Sequence, residues 1–154
     1  MKAIKGRILI LDDDVLVAVN YKDCLEAQGY SCKLAHRIQD ACHFLKNNDY
    51  SIVFCDHDLP DGKGIDFIKK SSKDKPGMQY IYMSAATPSI LKEVGKLEQV
   101  KKVLTKPVSE KTILQTLKEC NITQPNKKQR FIGPVERKMI LEIHRDAGNQ
   151  ENNS

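Results

Sequence analysis

The 154-residue chain has no apolar run near the roughly 20 residues that a membrane-spanning helix needs. Its opening, "MKAIKGRILILDDD", lacks the cleavage pattern of a secretory signal, so the expected address is cytoplasmic, with no membrane partner. The five cysteines, Cys24, Cys32, Cys42, Cys55 and Cys120, form no C-x-x-C, and no histidine stands at metal-ligand spacing from any of them. A disulfide scaffold and a zinc site are thereby disfavoured, and small buried thiols in a reducing compartment are expected. Positive charge is not concentrated either. The formal net charge of +5 is spread along the chain, without interleaved arginines and aromatics, so direct binding of nucleic acid is not expected.

What is present is the balance of an ordinary globular domain, 40% hydrophobic and 29% charged. Strand-like and helix-like patterns alternate. Strands are expected at 7–11, 31–35, 51–55, 79–84 and 102–105. Helices are expected at 15–28, with Val15, Val19 and Leu25 as apolar positions, and at 38–46, 64–72, 88–97 and 109–120. Asp14 and Ser109 read as N-caps, and Gly29 stands at a helix C-terminus. Five strand–helix units predict an α/β fold, a five-stranded doubly wound parallel sheet with helices on both faces. In such sheets the ligand site lies beyond the carboxyl ends of the strands. The residues at those ends are Asp12, Asp13 and Asp14, then Asp56, His57 and Asp58, then Ser84, then Lys106 and Pro107.

Carboxylates gathered at one edge repel, by about 4 kcal/mol per pair at 4 Å and an effective dielectric near 20, before screening. A divalent cation removes that penalty, and clustered aspartate oxygens suit Mg²⁺. Asp56 can then act as a nucleophile toward phosphorus and form an acyl phosphate. Lys106 offers a positive charge and Ser84 a hydroxyl donor to the phosphoryl oxygens, which is most of what phosphoryl transfer requires.

Four stretches, "ILILDDD", "DHDLPDGKG" in the form D-x-x-L-P-x-x-x-G, "MSA" and "LTKP", together resemble the receiver domain of two-component response regulators, over about residues 5–122. The resemblance implies the flavodoxin-like receiver fold and phosphorylation of Asp56 by a histidine kinase or histidine phosphotransfer protein. It implies Mg²⁺ held by Asp12, Asp13 and Asp56, with Asp13 the more direct ligand of the acidic pair and Asp58 contributing its backbone carbonyl. Ser84 and Lys106 would bond the phosphoryl group, and a cis peptide would precede Pro107. The module would signal through a downstream protein partner. It would be no metabolic enzyme, performing only self-directed phosphotransfer and autodephosphorylation. Where the family usually carries Tyr or Phe, three residues before the lysine, this chain has Val103, so a switch through Ser84 must proceed without a swinging ring. Asp58 and Ala86 occupy the positions that tune phosphoryl lifetime. His57, a loop histidine without an evident partner, reads as a bystander.

Two alternatives remain. "VFCDHD" also fits the D-x-D opening of haloacid dehalogenase-type phosphatases, but there the further acidic pair comes late rather than first, and a cap insertion for substrate is missing here. A degenerate receiver would bind partners unphosphorylated, against which the intact Asp13, Asp56, Ser84 and Lys106 set speaks. The expected organisation is a receiver domain over 1–122, a polar linker over 123–133, an amphipathic helix over 134–147 and a disordered tail over 148–154. Val135, Met139, Ile143 and Ala147 give that helix an apolar stripe. It can pack on the receiver, form a homodimer or dock a partner. Within these 154 residues no winged-helix, helix-turn-helix or catalytic output domain is expected, unless the chain is a fragment.

Overall fold

The computed structural model describes residues 4–85 and 87–123. Ala86 and the expected linker, helix and tail beyond Thr123 lie outside the described residues.

Five strands, β1 (Arg7–Leu11), β2 (Ser31–Ala35), β3 (Ile52–Asp56), β4 (Gln79–Ser84) and β5 (Val100–Thr105), form one parallel sheet in the order β2-β1-β3-β4-β5. Helices α1 (Val15–Ala27), α2 (Ile38–Asn47), α3 (Gly64–Asp74), α4 (Pro88–Val94) and α5 (Glu110–Glu119) alternate with them. The expected fold class holds, and element boundaries differ by a few residues. The helix expected over 88–97 stops at Val94, where Gly95 takes the C-cap, and β5 begins two residues early.

Alternation along the strands makes two cores. Ile8, Ile10, Phe54, Ile81, Met83 and Leu104 face α1 and α5, while Leu9, Leu11, Val53, Cys55, Tyr80 and Tyr82 face α2, α3 and α4. β3 is buried along its whole length, as a central parallel strand should be. Each large side chain buried there stabilises the fold by roughly 1.5–3 kcal/mol. Beside the main sheet, Ile4–Lys5 pairs in parallel with Ile122–Thr123, bringing the two described ends together.

The expected apolar positions of α1 need correction. Asp14 does cap the helix, accepting the Val17 N–H at 3.2 Å. The inward face, however, is Ala18, Tyr21 and Leu25, while Val15, Leu16 and Val19 are exposed, Leu16 at 78%. Positions 18, 21 and 25 share one side of a 3.6-residue helix, and 15 and 19 do not share it with 25. A small residue and a hydroxylated aromatic concealed the true face. The Tyr21 hydroxyl donates to the Val108 carbonyl at 2.7 Å, tying α1 to the chain just after β5.

Gly29 has φ 92°, a left-handed conformation that suits glycine after a helix, and the chain turns there into β2. Ser109 caps α5 by accepting the Thr112 N–H at 3.1 Å. No disulfide joins the cysteines; Cys32 and Cys55 are buried, as expected, while Cys24, Cys42 and Cys120 are half-buried. Burial pushes the Cys32 thiol up to about 12, so it stays protonated near neutrality.

Candidate functional site

Because the strands are parallel, their carboxyl ends meet at one edge. Asp12 and Asp13 follow β1, Asp56 ends β3, Ser84 ends β4, and Lys106 follows β5. Asp12, Asp56 and Ser84 are buried, and Asp13 is exposed. One carboxylate oxygen from each of Asp12, Asp13 and Asp56 lies within 4.8 Å of the others.

The hydrogen bonds around this cluster are incomplete on one side. Asp12 Oδ1 accepts the N–H of Asp14 at 2.9 Å. Among the described residues no hydrogen-bond donor reaches the buried Asp12 Oδ2, which faces the Lys106 ammonium at 3.6 Å. Asp56 Oδ1 accepts two donors, the Lys106 ammonium at 2.8 Å and the backbone N–H of His57 at 2.8 Å. Burial lifts the Asp56 carboxyl above its ordinary range; the Lys106 hydrogen bond opposes that lift, and the charge of Asp12 adds to it. For Lys106, burial works against the charge, but the bond to Asp56 and the charge of Asp12 outweigh it and hold the ammonium on. Two of the three clustered carboxylates, Asp12 and Asp56, thus share one ammonium. An all-oxygen donor set with an orphaned buried oxygen is the environment a hard divalent cation fits.

The strap that carries Asp56 is fixed by backbone contacts. His57 donates its N–H to the Met83 carbonyl at 3.1 Å and accepts the Gly64 N–H at 2.8 Å. A Cβ on Gly64 would lie 2.1 Å from the Asp56 carbonyl oxygen and 2.8 Å from Cys55 Sγ. The final position of D-x-x-L-P-x-x-x-G must therefore be glycine for α3 to start against the end of β3. The Lys106–Pro107 peptide is cis, as the resemblance implied. The Lys106 N–H donates to the Ser84 carbonyl at 2.9 Å, so the ends of β4 and β5 are joined.

The other two carboxylates of "DHDLPDG" have local partners. Asp58 is exposed and pairs with Lys63 across the short antiparallel pair formed by Asp58–Leu59 and Gly62–Lys63. That hydrogen bond holds its carboxyl below the usual range, and the group stands outside the cluster. The metal contact expected of Asp58 runs through its backbone carbonyl and does not require the side chain. Asp61 reaches across to α2, accepting the N–H groups of Ile38 at 2.8 Å and Gln39 at 2.9 Å. It caps a helix whose own N-cap residue, Arg37, makes no side-chain cap bond.

His57 is not partnerless. Its Nδ1 lies 2.5 Å from the Tyr82 hydroxyl, and the two rings meet edge-on at 5.7 Å. Nothing in linear spacing signals this pair, since the residues are 25 apart and meet only because β3 and β4 are neighbours. His36 was also missed; its Nδ1 lies 2.9 Å from the backbone carbonyl of Asp12. Val103 is half-buried on β5, opposite Tyr82 in register and on the same face of the sheet. A cleft of about 620 Å³ opens beside the cluster, lined by Asp12, Val17, Tyr21, Lys106, Pro107 and Glu110 among others. The exposed Val15, Leu16 and Val19 lie on α1, which forms one wall of this cleft.

The sequence matches the family model of the response regulator receiver domain over residues 8–118. It is 28% identical over 81 residues to the alginate biosynthesis transcriptional regulatory protein AlgB of Pseudomonas putida, covering 53% of this chain and 18% of that one. The corresponding protein of Pseudomonas syringae pv. tomato is 27% identical over the same length. The chain thus spans under a fifth of the length of these curated relatives. In three dimensions it is similar to a CheY-like response regulator receiver domain protein from Methanospirillum hungatei, with a TM-score of 0.71 at 28% identity, over 77% of this chain and 94% of that one. A two-component response regulator from Clostridium difficile shares the fold with a TM-score of 0.71 at 24% identity, over 75% and 95% of the two chains. With the family model covering most of the chain, and the fold and the acidic cluster in agreement, the chain belongs to the response regulator receiver domain family.

Proposed function

We propose that this receiver accepts a phosphoryl group on Asp56 from the phosphohistidine of a histidine kinase or phosphotransfer protein, and signals by changing its contacts with a downstream protein. The observation that carries this reading is the meeting, at one sheet edge, of buried Asp56, the Lys106 ammonium and the Asp12–Asp13 carboxylates. An Asp56 carboxylate oxygen attacks phosphorus, the O–P bond forms as the donor's N–P bond breaks, and the electron pair returns to the imidazole nitrogen, which takes up a proton from water. Asp12, Asp13 and Asp56, with the Asp58 backbone carbonyl, are the residues that would hold Mg²⁺, which when bound supplies neutralisation of phosphoryl oxygens. Lys106 follows the negative charge from the carboxylate to the phosphoryl group, and Ser84 donates its hydroxyl to another oxygen. Water attack on the same phosphorus later releases inorganic phosphate and restores Asp56, so the chain acts on itself and on no metabolite.

The exposed apolar residues Val15, Leu16 and Val19 on α1, the helix whose Val17, Asn20 and Tyr21 line the cleft, suit the approach of a donor's helices. The phosphate adds about −1.5 to −2 charges at this edge. Val103 has no ring to turn inward, so the change reaches other surfaces through backbone and helix shifts after Ser84 moves. The AlgB relatives are by name transcriptional regulators; for this chain the proposed contacts are with proteins, without direct nucleic-acid binding, in the cytoplasm. The segment over 134–147 offers a dimer or docking element.

Intact-mass spectrometry tests the reading. Incubation with acetyl phosphate and Mg²⁺ should give one phosphate adduct on the wild type, lost on chelation and absent from Asp56→Asn. An unmodified wild type at donor levels that load other receivers would leave an unphosphorylated binding module.

A further inference from the structure

The phosphoacceptor is joined to the buried core by one continuous set of contacts that phosphotransfer chemistry does not use. The backbone N–H of His57 is shared between two acceptors, Asp56 Oδ1 at 2.8 Å and the Met83 carbonyl at 3.1 Å. The His57 ring bonds the hydroxyl of Tyr82, a residue with no exposed surface. Ile65, in the first turn of α3, is buried in the same hydrophobic cluster as Tyr82. Tyr82 stands opposite Val103 in the β4–β5 register. From Asp56 the contacts therefore run through His57 to Tyr82, and from Tyr82 to the start of α3 and to β5.

We infer that His57 and Tyr82 form the coupling element that carries the state of Asp56 to α3 and β5. The inference rests on the proposed function, because the state it reads is phosphorylation of Asp56. The physical basis is the shared N–H. An ionised carboxylate is the stronger acceptor and holds most of that bond. Esterification removes the carboxylate's charge and draws Lys106 away to the phosphoryl group, so the N–H turns toward the Met83 carbonyl. Residue 57 shifts with it, and its ring moves. Leaving a buried phenol without its partner is costly, so Tyr82 follows the ring rather than losing it. Its movement bears on Val103 and on the first turn of α3. The pair is a local hydrogen-bond rearrangement with two arrangements, as a coupling element must have.

The test uses the full chain, ¹⁵N-labelled, loaded with acetyl phosphate and Mg²⁺ and compared at equal adduct occupancy by mass. In the wild type, loading should shift the amide resonances of Ile65 and Val103. In Tyr82→Phe, which removes only the hydroxyl, the adduct should still form while both shifts fall roughly threefold or more, within the range that coupling residues impose. His57→Ala, a change at a half-buried loop position, should give the same loss and guards against a folding defect in the tyrosine variant. His57→Gln, which can still hydrogen-bond the hydroxyl, should restore part of the response. Shifts at Ile65 and Val103 that survive in both Tyr82→Phe and His57→Ala overturn the inference. So does a wild type that takes up phosphate but leaves those two amides in place. A wild type that takes up no phosphate rejects the functional reading itself, and the inference falls with it.

Discussion

The two edges of the sheet are built from the same strands and treat polar groups in opposite ways. At the amino edge, the Ser51 N–H donates to the Arg7 carbonyl at 2.8 Å and the Gln79 N–H to the Ser51 carbonyl at 3.1 Å. The Gln99 side-chain amide spans the carbonyls of Lys75 at 2.8 Å and Met78 at 2.7 Å. At the carboxyl edge, three carboxylates cluster, two of them share one ammonium, and Asp12 Oδ2 is buried without a donor among the described residues. The groups named at the amino edge find their partners within the protein; the carboxyl edge reserves acceptor capacity for something from outside. The difference teaches that the local electrostatic cost marks the working edge, in line with strained or unsatisfied groups gathering at functional sites.

Mutations can break or sharpen that contrast. The largest effect is expected from Gly64→Ala. Its Cβ meets backbone at 2.1 Å, so Asp56 must move or α3 must start elsewhere. Overpacking of this kind costs at or above the top of about 1–3 kcal/mol, read as a lower urea midpoint, with loss of the phosphate adduct. The opposite sign is expected for Asp12→Asn in the absence of divalent cations. It removes one like charge from the cluster and should raise stability by roughly 1 kcal/mol after screening. Added Mg²⁺ should then stabilise the wild type more than the variant, by about 2.7 kcal/mol for the wild type at a hundredfold excess over Kd. A variant less stable than the wild type without Mg²⁺ would place Asp12 among ordinary structural residues.

A smaller effect is expected at Asp61. Loss of the α2 cap in Asp61→Ala should cost about 1 kcal/mol near neutral pH. Its slight burial tends to raise the carboxyl pKa, but the Gln39 and Ile38 N–H bonds win and hold it below the ordinary range. A depressed folded-state pKa gives stability that is present above the unfolded value, about 3.9, and lost as pH falls through the folded value. The gap between wild type and Asp61→Ala should therefore close on acidification below about pH 4, in chemical denaturation series at stepped pH. A gap that persists into strong acid would mean that the cap is not a carboxylate effect. The smallest effect belongs to the exposed Lys63–Asp58 pair, where Lys63→Ala should leave the urea midpoint almost unchanged.

Much of this contrast was legible in the sequence, because strand ends are fixed by alternation and the functional types sit directly after them. Asp12, Asp13, Asp56, Ser84 and Lys106 all follow from counting strands. What the linear pattern concealed depends on partners far away in the chain. Asp61 reads as a turn aspartate until α2 is placed beside its loop. Val15 and Val19 read as core because apolar residues usually are, yet Ala18 and Tyr21 hold the inward positions. Tyr82 reads as one aromatic in a buried strand, and its hydroxyl gains meaning only when β3 brings His57 against it.

The central claim is that Asp56 is the residue that takes the phosphoryl group. After loading with acetyl phosphate and Mg²⁺, borohydride reduction converts an acyl phosphate on aspartate to homoserine, and peptide sequencing reads its position. The account predicts homoserine at position 56. Homoserine at position 12, 13 or 58 instead, or at no position in a sample treated alongside a receiver that does load, would contradict it.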